Sequence, residues 1–399
     1  MDKTIRDQII ALSEKYTGAC AHFLRELIAI PSLSSQEEKV VKRIEREMQT
    51  NDFDEITIDP MGNILGRIGS GPRIIAFDAH VDTVDVGNPD LWNIDPFTGK
   101  EENGIIYGRG ASDMKGGMAA IAYAGKIMKE IGIPDDFTVY MTGSVQEEDC
   151  DGLCWQYIYK EDGLRSELVV ITEPTNLNIY RGHRGRMEIE VETSGISCHG
   201  SAPERGENAI YKMAPIITDI QKLNDRLKTD EFLGKGTVTI SQIRSTSPSL
   251  CAVADRSVIH LDRRLTAGET EESALDEIRE LPSFKEQGAT LRVLEYHTPS
   301  YKGLVYPTKK YYPGWKTKPD QAGLIAGQKA FRELFGKEPV VDKWVFSTNG
   351  VATAGMFGIP TIGFGPANEI YAHSPQDQCP VDHLTKAMQF YCGLIFNLP

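Results

Sequence analysis

The chain of 399 residues contains no run of ~18 apolar residues, the least a helix needs to cross a bilayer, so no membrane span is expected. Its start, Met1 to Glu14, is charged and amphipathic rather than an apolar signal core, which reads against a secretory leader. Cysteine is scarce: seven residues, an odd number, with no C-x-x-C pair, which argues against a disulfide framework and fits a reducing cytoplasm. Cys150 and Cys154 lack further thiol partners and read as ordinary thiols rather than a metal site. Basic residues are outnumbered, 43 Lys and Arg against 57 Asp and Glu, for a net charge of −14. A surface of that sign repels phosphate backbones, so nucleic acid is not an expected partner. No internal repeat or low-complexity segment is present. With 40% hydrophobic and 25% charged residues, the chain has the composition of a globular protein rather than a disordered one, at a length that suggests about two or three domains.

Apolar periodicity changes style twice along the chain. Residues 20–48 predict a helix broken at Ile30-Pro31, restarted by Ser34 or Ser35 as a cap before Glu37 and Glu38. Strands are predicted at 56–58, 64–68, 74–81, 137–142 and 168–172, with a helix over 116–131. Nearly unbroken apolar strands alternating with helices imply a buried mixed or parallel sheet with helices on both faces. Over 187–193 the pattern becomes alternating: Met187, Ile189 and Val191 against Glu188, Glu190 and Glu192. A helix over 207–228, strands at 237–243, 258–265 and 290–296, and a helix over 269–281 complete an α+β layer with one solvated sheet face. From about 319 the first style returns, with helices to Phe335 and over 381–396 and a strand at 360–364. The expected fold is therefore α/β: a mixed-sheet catalytic domain (1–184 and 299–399) interrupted by an inserted α+β domain (185–298). Segment 301–318, basic and aromatic in an acidic protein, reads either as a solvated loop or as a flap over an anionic substrate or a partner contact.

Five places, nearly all at predicted strand ends, offer ligands for hard or borderline cations. His80 and Asp82 are two apart, so on a strand they face the same way; His80 can bind metal while Asp82 braces its other ring nitrogen. Asp113 lies in the run Gly108 to Gly117, where it could cap a helix, although glycines so crowded point to a tight backbone approach. Glu147 and Glu148 follow the 137–142 strand; one can ligate while its neighbour takes a proton from water. Glu173 ends an apolar strand, and His373 sits on a loop before the last helix. Two divalent ions would balance the charge of Asp113, Glu148 and Glu173 plus one hydroxide, with both histidines neutral.

The ordered series His80-x-Asp82, Gly110-Ala111-Ser112-Asp113-Met114-Lys115-Gly116, Glu147-Glu148, Glu173-Pro174 and His373 resembles the dinuclear zinc amidohydrolase and metallopeptidase family. That family includes acetylornithine deacetylase, succinyl-diaminopimelate desuccinylase, aminoacylase and carboxypeptidase G2; the chain is most similar to its selenium-metabolism-linked hydrolase branch. The resemblance implies two divalent ions per chain, zinc first, with cobalt or manganese as alternatives. It makes Asp113 the bridge, His80 and Glu173 the ligands of one ion, and Glu148 and His373 those of the other. It makes Glu147 the general base and then the proton donor, and Asp82 the residue that orients His80. Glu rather than Asp at position 173 is similar to the deacylase branches, implying an N-acyl (or N-carbamoyl) amino acid or diamino acid; a dipeptidase or exopeptidase, or a non-catalytic metal-stabilised homologue, is the alternative.

The inserted region carries the resemblance further. Cys198-His199-Gly200-Ser201-Ala202-Pro203 and Gly206-Glu207-Asn208-Ala209 resemble the family's lid motif, which implies that His199 stabilises the oxyanion, in cis or from a partner subunit, and that Asn208 assists. Leu261-Asp262-Arg263-Arg264 resembles the strand whose arginine binds the substrate's free carboxylate; Arg264 fits the D-x-R spacing, with Arg263 as fallback. Ser347-Thr348-Asn349-Gly350 resembles the turn beside that carboxylate. A lid of this kind implies a homodimer through the inserted domain, with the 207–228 helix face and the 237–243 strand as candidate surfaces. Asp377 is the lone acid in the four residues after the His373 motif, and no role follows for it from the sequence.

Overall fold

A computed structural model describes all residues, Met1–Pro399. The chain opens with helices α1 (Lys3–Ile28) and α2 (Glu38–Thr50), then strands β1 (Glu55–Ile58), β2 (Ile64–Gly69) and β3 (Arg73–His80). Helix α3 (Gly116–Ile131), β4 (Phe137–Ser144), α4 (Leu153–Lys160), β5 (Leu168–Ile171) and β6 (Ile179–Tyr180) follow. The inserted layer comprises β7 (Gly185–Ser194), α5 (Ala209–Arg226), β8 (Thr237–Thr246), β9 (Arg256–Leu265), α6 (Glu271–Arg279), β10 (Thr290–Val293) and β11 (Tyr311–Tyr312). The chain then returns through α7 (Ala322–Phe335), β12 (Val341–Asp342), β13 (Thr361–Gly363) and α8 (Val381–Ile395).

The main sheet has the order β1-β2-β4-β3-β5-β13-β6-β12 and mixes parallel and antiparallel pairs. The mixed α/β class expected from the strand pattern is the one found, with helices on both faces. Strand β5 shows why its four residues are all apolar: Leu168 and Val170 face the core under α1, α3 and α8, while Val169 and Ile171 face the core under α4. The second sheet runs β8-β9-β7-β10, with β11 also on β7, all antiparallel. Met187, Ile189 and Val191 are buried in its own core of 17 residues.

Three local expectations are corrected. The first helix begins at Lys3, well before residue 20. Neither Ser34 nor Ser35 caps α2: Ser34 Oγ donates instead to Asp82 Oδ2 at 2.7 Å, Ser35 takes a positive φ, and the cap position falls to Glu37. A hydroxyl that satisfies a buried carboxylate is worth more than one closing a solvated helix end. Segment 301–318 is only partly a solvated loop. It crosses between the layers as short strands, Tyr311–Tyr312 on β7 and Trp315–Lys316 on Gly182–His183, with Tyr312 and Trp315 buried. The helix α4 had no counterpart in the sequence-based expectation.

Candidate metal centre

Parallel strands β3, β4 and β5 end at one edge of the sheet, and their ends carry His80, the Gln146–Glu148 loop and Glu173. Asp113 approaches from the turn before α3. Gly110 holds a φ of 86° in that turn, and a Cβ on Gly117 would meet the Thr172 carbonyl oxygen at 2.6 Å, so the loop lies tight against the end of β5.

The histidines and acids converge. His80 Nε2 lies 3.0 Å from Asp113 Oδ1, 3.4 Å from Glu173 Oε1 and 3.9 Å from Glu147 Oε2. His373 Nε2 lies 3.2 Å from Asp113 Oδ2 and 2.9 Å from Glu148 Oε2. The two oxygens of Asp113 thus face two different imidazoles. His80, Asp113, Glu147 and Glu173 are buried, while His373 is exposed at the rim. By distance alone the cation-sized groupings are His80 with Glu147 and Glu173, and His80 with Asp113 and Glu148. A cleft of about 390 Å³ opens on these groups, and its other wall includes Asp151, Arg186, Arg264, Phe346, Ser347 and Glu369.

Burial raises Glu148 to about 7 and Glu173 to about 8, with the Asp113 charge adding to each. Burial, then the charges of Asp151, Glu173 and Glu148, push Glu147 well up against the pull of His80. Hydrogen bonds to Asp113 and Glu148 lift His373 to about 10. Burial opposes the His80 cation, yet Glu173 and Asp113 keep its pKa well above the ordinary value. The donor set suits divalent ions: two imidazoles, four carboxylates, and three buried carboxylate oxygens with no hydrogen-bond partner, Glu147 Oε1, Glu148 Oε1 and Glu173 Oε2.

Supporting contacts refine the expected roles. His80 Nδ1 meets the backbone carbonyl of Asp82 at 2.9 Å, closer than the Asp82 carboxylate at 3.5 Å. The Asp82 carboxylate accepts instead from the amides of Glu147 (3.2 Å) and Glu148 (3.1 Å). It therefore pins the acidic loop as well as lying beside His80. Asp377, for which the sequence implied nothing, is buried and accepts from Gly110 N (2.7 Å), Ser112 N (2.8 Å), Ser112 Oγ (2.6 Å) and Arg109 Nη1 (3.1 Å), fastening the Asp113 loop from the opposite end of the chain. Asp151 and Arg186 were also missed; Asp151 follows three consecutive acids and a cysteine, and Arg186 sits on an alternating strand where a solvated face is the ordinary reading.

The inserted layer contributes unequally. Arg264 lines the cleft and pairs with Asp262 on the same strand face, Nε to Oδ1 at 2.8 Å. Arg263 points the other way, buried against Glu269 (2.6 Å) and Glu277 (2.9 Å), and so has no part in the cleft. His199 is exposed with Nδ1 2.7 Å from Ser201 Oγ, and Asn208 caps α5 through Ile210 N at 2.9 Å; neither lines the cleft of its own chain. Ser347 lines it, bonded to Asp151, while Asn349 is spent beneath it on Asp78 and Ser144. Cys150 and Cys154 are buried and separately engaged, by Tyr312 and by Asn349, and all seven cysteines are free.

A family model for "Peptidase family M20/M25/M40" matches residues 76–397. Protein YgeY of Escherichia coli (strain K12) is 54% identical over 386 residues, covering 97% of this chain and 96% of its own. The acetylornithine deacetylase of Proteus mirabilis (strain HI4320) is 34% identical over 221 residues, covering 51% of this chain and 55% of its own. Among solved structures, the YXEP protein of Bacillus subtilis, a dinuclear metal-binding peptidase of the M20 family, superposes with a TM-score of 0.70 at 16% identity, covering 96% of this chain and 98% of that one. Ordered histidines and acids at strand ends, an interrupting second sheet and matches over most of the chain lead to one conclusion: this chain belongs to peptidase family M20/M25/M40, a family of metal-dependent hydrolases of amide bonds.

Proposed function

We propose that the protein hydrolyses the amide bond of a small N-acyl or N-carbamoyl amino acid, holding two divalent ions, zinc foremost. The observation that carries this is Asp113, whose two oxygens face His80 and His373 while three neighbouring carboxylate oxygens stay buried and unpartnered. Asp113 would bridge, His80 and Glu173 would complete one position, and Glu148 and His373 the other. The ions when bound acidify water and polarise a carbonyl. Glu147 takes the proton from water and returns it to the leaving nitrogen; burial raises its pKa, which strengthens it as a proton acceptor. Asp82 holds the Glu147 amide, and so fixes where that carboxylate stands. Arg264 receives the substrate carboxylate across the cleft.

Residues 1–184 and 299–399 act as the catalytic domain and 185–298 as a lid that pairs with its twin. The free edge of β8, with Ile243 exposed, together with the exposed Ile210 and Tyr211 on α5, supports a homodimer. Such pairing gives His199 and Asn208 a cleft to serve, that of the partner. The test is metal analysis with a panel of N-acetyl, N-succinyl and N-carbamoyl amino acids set against dipeptides. About two ions per chain are expected, and Glu147→Gln is expected to keep them while losing turnover. Full activity in that variant removes Glu147 as the base, and a preference for dipeptides replaces the deacylase reading.

A further inference from the structure

Arg186 and Arg264 are direct cross-strand partners on β7 and β9, and both line the cleft opposite the acids. Like charges facing each other across a ladder destabilise a sheet, so the pair needs a reason. Each arginine is held by an acid: Arg186 Nη2 by Asp151 Oδ1 at 3.2 Å, and Arg264 Nη2 by Asp262 Oδ2 at 2.9 Å. The Arg186 guanidinium also lies 4.9 Å from the centre of the Tyr312 ring, and Asp151 is fixed in turn by Ser347 Oγ. These contacts restrict Arg186 before any ligand arrives. They do not exhaust it, for its Nε is buried without a partner. Its Nη1, neither buried nor hydrogen-bonded within the protein, is left to meet a ligand oxygen. The rest of the cleft is polar, with Phe346 and Ala372 its only apolar residues, so it offers little to a large apolar side chain.

We propose that Arg186 is a specificity-determining residue: with Arg264 it forms a two-guanidinium clamp for the carboxylate of an N-acyl amino acid whose side chain is small and polar. The inference rests on the amide-hydrolase reading above and extends it to a residue that reading did not need. Two planar forks that share one carboxylate give it more directed hydrogen bonds than a single arginine can, and they discriminate an acid from its amide by charge.

The experiment compares kcat/KM for N-acetyl amino acids as free acids and as carboxamides in the metal-loaded full-length protein. In Arg186→Gln the value for the acid is expected to fall by about tenfold to a hundredfold, the loss expected for a charge-assisted hydrogen bond, chiefly through KM. The carboxamide is expected to change little. Because the acid-to-amide ratio is internal to each preparation, partial misfolding does not alter it; should the Gln variant be insoluble, Arg186→Lys, expected to lose part of the preference, decides by the same ratio. Equal losses for acid and amide make Arg186 a structural tie only, and an unchanged ratio removes it from recognition; either result overturns the proposal. If the wild type turns over no member of the panel, the hydrolase reading fails separately. Calorimetric binding of mercaptoalkanoic acids of increasing chain length, against their carboxamides, then decides on Arg186 without turnover. A preference for the acids that disappears in Arg186→Gln supports the clamp, and a preference that persists, or is absent from the wild type, overturns it.

Discussion

Replacing Asp377 probes how the chain fastens the Asp113 loop. Its two oxygens accept from two backbone amides, one hydroxyl and Arg109, all at 3.1 Å or less. Asp377→Ala would leave Arg109, 3% exposed, as a buried cation whose remaining contacts are carbonyls and the face of Trp92. Breaking a buried pair by removing one partner costs about 3–5 kcal/mol. Each stranded buried amide adds about 1–3 kcal/mol before relaxation and water entry recover part of it. A net loss of at least about 4 kcal/mol is therefore expected, a large share of the roughly 5–15 kcal/mol by which domains are stable. Asp377→Asn preserves the shape but sets an NH₂ group against either the Gly110 amide and Arg109 or, flipped, the Ser112 amide, donor to donor, at an expected cost of about 2–4 kcal/mol. Ser112 is the residue before Asp113, so both variants should also bind metal more weakly. Urea unfolding of metal-free protein measures the first effect, and metal titration the second. Asp377→Asn within about 1 kcal/mol of wild type, with unaltered metal affinity, would refute the stapling of this loop.

Further outcomes follow from the same geometry. Metal-free protein should lose stability as pH rises from about 5 to 10, since the folded-state values of Glu148 (about 7), Glu173 (about 8) and His373 (about 10) all lie above their ordinary ones, so the folded state holds more protons through that window. Metal displaces those protons, so the melting temperature of loaded protein should vary less with pH; a metal-free form that stabilises with rising pH would count against this account. Arg263→Met should cost stability, about 3–5 kcal/mol for stranding Glu269 and Glu277, while Arg264→Met should leave unfolding within about 1 kcal/mol, as for an exposed pair, and raise KM for acids. Sedimentation should show a dimer that Ile243→Lys weakens; a monomer with full activity would exclude His199 acting from a partner.

The linear order of the clustered histidines and acids was legible because they sit mostly at strand ends, and strand ends are marked by local apolar runs that stop. The α/β pattern and the alternating second sheet were legible for the same reason: burial on two faces or one imposes a period that neighbouring residues display. The D-x-R spacing put Asp262 and Arg264 on one face, where they are found paired.

Tertiary structure decided whatever depends on residues distant in the chain. Glu148 and His373 meet across 225 positions, and Asp377 reaches Ser112 across 265; no local period encodes either meeting. The Ser34 hydroxyl left its helix end for Asp82 once packing brought a buried acceptor within reach, and Tyr312 and Trp315 are buried because the chain there pairs with β7 and with Gly182–His183. Sequence alone determined which side chains could do chemistry and in which kind of element they stand. Packing decided which of them touch, because the energy of burying an unpaired charge is settled by neighbours that only the folded chain supplies.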